Sequence, residues 1–157
     1  MSEINHQISD FFYQTAQALS LIEQQQLPLL LQPTDWQTRY RSLMQLGKTL
    51  PAFSALQQVE QNLIAGCDSQ AWLLHQQESS SGRHFWAFDS EARLIKGTVT
   101  VLLCQINGKT SAELSALPLR QLLTIPGLQQ NLSPSRQNGL LAVLHKVALL
   151  ADIDLIT

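Results

Sequence analysis

Cys67 follows directly on Gly66 and precedes Asp68 and Ser69, at a point where the residue pattern changes from loop to strand. Glycine permits backbone angles and close approaches that a side chain would block, so this pair could present a thiol at a loop tip. The nucleophile would be the thiolate, and a free cysteine with a pKa of about 8.5 is only slightly ionised at neutral pH. Nearby positive charge would favour it. The competing reading is an inert packing residue, since unpaired cysteine is among the most buried types. Position alone leaves both open.

The other chemistry-bearing residues are scattered. Cys104 ends the run Val99-Thr100-Val101-Leu102-Leu103-Cys104 and reads as core packing. His6, His75, His84 and His145 have no metal-ligand spacing with each other or with cysteine, and a closed zinc site usually needs four such ligands, so no metal site is expected. His75 and His84 could face each other across a hairpin, where surface histidines are the ordinary case. Asp68 and Asp89 are carboxylates close to the candidate thiol, read as a solvated charge and a helix cap. Arg136 falls in the first turn of a helix, where a cation opposes the helix dipole; an anionic partner would offset that. Gly-x-Gly-x-x-Gly, Walker-type and Gly-x-Ser-x-Gly patterns are absent, which removes the usual support for nucleotide-binding and α/β-hydrolase readings.

The elements that must position these residues follow from periodicity. Between Ile8 and Gln26, the residues Ile8, Phe11, Phe12, Thr15, Ala18, Leu19 and Ile22 recur at spacings of three and four, predicting an amphipathic helix. Pro28 and Pro33 bracket a short apolar linker. Asp35 then opens a helix whose Trp36, Tyr40, Leu43 and Met44 share a stripe, with Gly47 and Pro51 as stop signals. Ala52 to Ala65 offers an apolar face in Leu56, Val59, Leu63 and Ile64 but is confined by Pro51 and Gly66, so helix and loop both remain open. Ala71 to His75 and His84 to Phe88 read as strands joined through a turn at Ser79 to Gly82. Asp89 or Ser90 can cap a central helix through Leu94, Ile95, Val99, Leu102 and Leu103, stopping near Gly108. Thr110 and Glu113 have capping-box spacing. Ser133-Pro134 sets the start of a last helix through Leu140, Leu141, Leu144, Val147 and Ala148. Helices, a hairpin and further helices make an α+β fold with a small antiparallel sheet under helices.

The chain as a whole bounds these readings. Its 157 residues suit one domain of the common size of roughly 100–200 residues. With 45% hydrophobic and 14% charged residues it is apolar enough to fold compactly. A net charge of −2 and a pI near 6.0 without any basic run argue against nucleic acid. The first cationic side chain is Arg39, and apolar runs such as Leu27 to Leu31 are far shorter than the ~20 residues of a membrane span. Two cysteines are too few for a disulfide framework. A cytoplasmic protein without membrane attachment is expected.

Four segments, in order, carry a family resemblance. They are Trp36 with Arg39-Tyr40 and Leu46-Gly47-Lys48 through Leu50-Pro51; Asn62 through Trp72, containing Gly66-Cys67-Asp68-Ser69; Asp89-Ser90 with Ile95-Lys96-Gly97; and Leu132-Ser133-Pro134-Ser135-Arg136 with Asn138-Gly139-Leu140. This set, covering about Asp35 to Leu150, resembles the SufE/CsdE family of sulfur acceptors. The segment through about Gln32 is an N-terminal helical extension outside the resemblance, and Ala71 stands where the family often carries valine.

The resemblance implies a single SufE/IscU-like domain over residues 1–157. It implies that Cys67 receives persulfide sulfur from a cysteine desulfurase, speeds that enzyme by clearing its product, and passes sulfur toward iron–sulfur cluster assembly. The pyridoxal phosphate belongs to the partner, so no cofactor is expected on this chain; a downstream scaffold takes the sulfur, and the carrier is a monomer. Arg136 and Asp89 are implied to lie by the cysteine loop, Arg136 favouring the thiolate and Asp89 fixing the loop or helix start. Gly66 supports the turn and Trp72 packs beneath it. Three alternatives are a non-catalytic adaptor that regulates a desulfurase, an IscU-type scaffold, which would need several cysteine ligands, and a thiol-dependent redox enzyme, for which Cys104 is the only candidate resolving cysteine.

Overall fold

The computed structural model describes residues 9–64 and 69–155. Helix α1 (Asp10–Gln25) is followed by a short α2 (Leu27–Leu30), then α3 (Trp36–Lys48) and a 3₁₀ turn (Glu60–Asn62). The hairpin β1 (Ala71–Gln77) and β2 (Arg83–Ser90) leads to α4 (Arg93–Ile106) and the two-residue β3 (Lys109–Thr110). The chain ends with α5 (Ser111–Ser115), a 3₁₀ turn (Gln121–Leu123), α6 (Leu128–Asn131) and α7 (Pro134–Leu150). The strands form one antiparallel sheet in the order β1-β2-β3. The fold is α+β, as the pattern predicts, and no described helix is long and apolar enough to cross a membrane.

Alternation along the hairpin gives the sheet two apolar faces. Ala71, Leu73, Trp86 and Phe88 join the main core with α4, whereas Trp72 and Ala87 pack with Phe12 and Phe53 in a second, smaller cluster. Helix α1 serves both: Phe12 covers the second cluster, and Leu19 and Ile22 reach the main core. The N-terminal helix is thus part of the packing. Helix α4 is buried along nearly its whole length, as expected for a helix apolar all round. Its two buried threonines are satisfied internally, Thr98 donating to the Leu94 carbonyl at 2.8 Å and Thr100 to that of Lys96 at 2.7 Å.

Several local expectations hold in detail. Asp35 caps α3 by accepting from the Thr38 amide at 2.7 Å. The Thr110–Glu113 capping box has both arms, at 3.2 and 2.9 Å. Ser133 caps α7 with Pro134 in its first turn. Others are corrected. The Pro28–Pro33 linker contains α2. Its last turn is held by the buried Arg39 guanidinium, which donates to the carbonyls of Leu30, Gln32 and Pro126 at 3.1, 2.6 and 3.2 Å. The described part of the Ala52–Ala65 segment is turns and a 3₁₀ turn, and Leu56 on its supposed apolar face is exposed.

Gly47 does not end α3; it lies inside the helix, buried against α4. A Cβ there would meet the Gly97 amide nitrogen at 3.1 Å, and a Cβ on Gly97 would come within 1.8 Å of the Leu43 carbonyl oxygen. Helices α3 and α4 therefore meet backbone to backbone. The stop signal was a packing signal.

His84 also departs from expectation: it is only 2% exposed. His75 Nε2 lies 2.7 Å from His84 Nδ1, and His84 Nε2 lies 2.8 Å from Ser111 Oγ. Ser111 spends its single proton on the Ala151 carbonyl at 2.8 Å, so it accepts from His84 Nε2–H. His84 Nδ1 is then left to accept from His75 Nε2–H. This neutral chain ties the sheet to α5 and the end of α7. Burial, and secondarily the neighbouring His84, lowers the His75 pKa to about 4, and burial lowers that of His84.

Two measurements check this packing. Gly97→Ala should lose about 3 kcal/mol or more in urea unfolding, because the obstructing atoms are backbone. Gly82→Ala, at a turn with φ of 73° where a Cβ would meet only the Gln77 side-chain nitrogen at 4.0 Å, should lose only about 1–2 kcal/mol. For His75, the unfolded state binds more protons than the folded state between pH 6.5 and about 4. Stability should accordingly be full above pH 6.5 and fall as pH drops through that window. The loss is about 1–2 kcal/mol once partial solvent screening is allowed for, and His75→Gln should flatten the slope.

Candidate functional site

Cys67, Gly66 and Asp68 lie outside the described residues, as does His6; the flanks of the Cys67 segment are described on both sides. On its N-terminal side, Leu63 forms an isolated bridge with Trp72, and the Ile64 amide donates to the Ala71 carbonyl at 2.8 Å. On its C-terminal side, Gln70 is fastened to the β2–α4 turn. Its amide donates to Glu91 Oε1 at 3.2 Å, and its carbonyl accepts from the Glu91 amide and from Ser90 Oγ, both at 3.0 Å. Both ends of the segment are therefore clasped to the sheet. Bonds of this number make a rigid mount from a loop stem.

Asp89 supplies the mount's central joint. It is 8% exposed at the end of β2, opposite Trp72 in the register. Oδ2 accepts from the Phe53 amide at 2.9 Å, and Oδ1 accepts from the Ser90 amide at 2.8 Å. Oδ1 also lies 3.1 Å from Lys96 Nζ, which is similarly buried. The expected helix cap is divided differently: Ala92 is the N-cap of α4, and Ser90 Oγ accepts from the Ala92 amide at 3.1 Å. Asp89 thus joins three things, the 51–64 loop, the end of β2 and the first turn of α4.

Arg136 stands in the first turn of α7, exposed, its amide donating to Ser133 Oγ at 3.3 Å. Its side chain, with Ser69, Ala71, Ser90, Ile95 and Ser135, lines a small cavity of about 20 Å³. Ser69 is the first described residue after the Cys67 segment. The structure therefore brings Arg136 and the hydroxyl-bearing turn after Asp89 to one place beside that segment. It does not bring His75 and His84 there, since both lie toward the far end of the hairpin; His145 on α7 shares a cavity wall with Leu63 and Ile64.

The second thiol is elsewhere and unsuited to nucleophilic work. Cys104 is buried in the core, with Sγ 3.6 Å from the Leu19 carbonyl oxygen, and burial pushes its pKa up to about 12. Sequence reasoning quoted Lys96 and the serines within the family segments, and Ser90 as a candidate cap, but gave none of them a place beside the thiol segment. Lys96 carried a signal, being the one charge in the largely apolar stretch from Leu94 to Ile106. Such a charge needs a buried partner.

Asp89→Asn should cost about 3–5 kcal/mol in chemical denaturation, since it leaves the Lys96 ammonium buried without its counter-charge. Adding Lys96→Met should recover part of that loss. Strict additivity of the two changes would disprove the coupling.

Comparison with known proteins bears directly on this arrangement. Residues 25–151 match the family model for SufE, described as an Fe-S metabolism associated domain. That span starts ahead of the Asp35 boundary set by the motifs and includes α2. The sulfur acceptor protein CsdE of Escherichia coli K12 is 40% identical over 110 residues, covering 70% of this chain and 74% of the relative. An uncharacterised SufE-like protein of Haemophilus influenzae is 37% identical over 111 residues, covering 71% and 87%. One from Rhizobium etli is 33% identical over 115 residues, covering 72% and 78%. With the family match spanning the clasp, Asp89, Lys96 and Arg136, the chain belongs to the SufE family.

Proposed function

We propose that this chain is a sulfur acceptor for a cysteine desulfurase, and that Cys67 is the residue that holds the sulfur on its way to iron–sulfur cluster assembly. The observation that carries the reading is the clasped mount: Ile64–Ala71 on one side, Gln70–Glu91 on the other, with Arg136 and Ser90 beside the segment between them. The match to the SufE family and the likeness to a protein named as a sulfur acceptor support the same reading.

The reaction needs no cofactor from the carrier. The Cys67 thiolate attacks the terminal sulfur of the desulfurase's cysteine persulfide; a new S–S bond forms on Cys67 as the donor's S–S bond breaks. The donor cysteine leaves as a thiolate and takes up a proton, while Cys67 has given one up, so no net oxidation occurs. Pyridoxal phosphate, which would free sulfur from cysteine, resides with the partner. The rate of such exchange depends on thiolate fraction and access. Arg136 would raise the thiolate fraction, Gly66 would permit the turn that presents the thiol, and Asp89 would hold the mount in register. The Cys67 persulfide then passes its outer sulfur to a downstream scaffold by the same exchange.

The environment of Cys104 weighs against the alternatives that need a second thiol. A deeply buried thiol with a pKa near 12 is poorly suited to ligate a cluster or to resolve a disulfide. That leaves the adaptor reading, in which the chain stimulates a desulfurase without carrying sulfur.

Intact-mass spectrometry of the full chain, incubated with a cysteine desulfurase and cysteine, separates the two. Wild type should gain one or more sulfur atoms mapped to Cys67, and Cys67→Ser should gain none and lose desulfurase stimulation. Arg136→Gln should slow loading about three- to tenfold near neutral pH, one pKa unit being worth about tenfold in thiolate, with the deficit shrinking at alkaline pH. Full stimulation by Cys67→Ser would establish the adaptor instead.

A further inference from the structure

A second cavity lies away from the cysteine mount, between the 3₁₀ turn Gln121–Leu123, α6 and the middle of α7. It encloses about 260 Å³. Its walls are mainly leucine, Leu128, Leu132, Leu140 and Leu144 among them, with Arg120, Gln129 and Gln137 as the polar residues. Gln137 Nε2 is already committed, donating to the Gln129 and Leu132 carbonyls at 3.2 and 3.1 Å. Arg120 is not. Its Nε is buried with no hydrogen-bond partner, and its guanidinium has no ion pair or hydrogen bond among the described residues.

A buried donor left unmade is costly, more so when it carries charge. Native structures rarely leave one without a reason. Arg120 is also only partly buried as a residue, so an incoming acceptor can meet it at the cavity wall. Among the described residues, no aspartate or glutamate lines the cavity to answer it.

We propose that this cavity binds a small aliphatic monocarboxylate, its tail among the leucines and its carboxylate accepting from the Arg120 guanidinium. Each feature of the ligand answers one of the site. The planar guanidinium matches a carboxylate in geometry and charge. One cation in an apolar wall suits one negative charge with a hydrocarbon tail, and not a phosphate dianion. The absence of a lining carboxylate leaves an ammonium without a partner, which disfavours amino acids. The volume falls below the ~300–1,000 Å³ of pockets for drug-sized ligands, which sets the scale at a short chain.

The test is a ¹⁵N NMR titration of the full chain with hexanoate, hexanamide and hexylamine. Hexanoate should give saturable shifts at Arg120 and along Leu128 to Leu132. Hexanamide and hexylamine, which share the tail but lack the anion, should bind about tenfold or more weakly, the scale of a lost charge-assisted hydrogen bond. Arg120→Gln should weaken hexanoate by a similar factor, and Arg120→Lys, which keeps charge but loses the planar fork, by less. No saturable response to hexanoate, equal binding of hexanamide, or undiminished binding by Arg120→Gln would each overturn the assignment. Sulfur loading is not read in this experiment, so its outcome is independent of the role of Cys67.

Discussion

The Asp89 carboxylate is the constraint on which the rest of the candidate site depends. It is nearly closed off from water, and a charge in that position is tolerable only when paired and hydrogen-bonded. Two backbone amides and the Lys96 ammonium provide those partners. Because the partners come from three elements, satisfying one side chain fixes the relative positions of the 51–64 loop, the end of β2 and the start of α4. The turn that follows Asp89 then carries Ser90 and Glu91, which grip Gln70. One buried ion pair thereby helps set the position of Gln70, a residue outside the pair.

The two helices beside this joint contribute rigidity. Gly47 and Gly97 let α3 and α4 approach at backbone distance, so α4, whose first turn holds Lys96, is seated against a neighbour without an intervening side chain to adjust. Interiors packed this closely transmit displacement instead of absorbing it. Arg39 extends the same frame by drawing the end of α2 and the Pro126 carbonyl onto α3.

The sequence made the fold legible wherever one local rule acted alone. Alternation gave the hairpin, and the caps at Asp35, Thr110 and Ser133 were readable because a hydroxyl or carboxylate stands at a fixed offset from the amide it accepts. It failed where a residue type has two uses. Glycine at 47 suits a helix stop and a close helix crossing equally, and only the partner helix decides. An apolar spacing between Leu56 and Ile64 looks helical, but Pro51, the Leu63–Trp72 bridge and the pull of Phe53 toward Asp89 hold the chain in turns. At the site, the single thiol, Asp89 and Arg136 could be nominated from family motifs. Lys96, Ser90 and the burial of His84 needed the third dimension, since each matters through a residue distant in the chain.

The clasp around the candidate thiol sets a limit on reach. Cys67 is three residues from Ile64 and three from Gln70, both held by backbone bonds to the sheet or its turn. A chain extends at most ~3.3–3.6 Å per residue, so the tether lets that residue travel only about 10 Å from either anchor. An arm so short cannot ferry cargo across a gap between distant active centres. On the role proposed for Cys67, the donor and the recipient of the sulfur would each bring their own reactive group down to the surface of this protein, in turn, at the same spot.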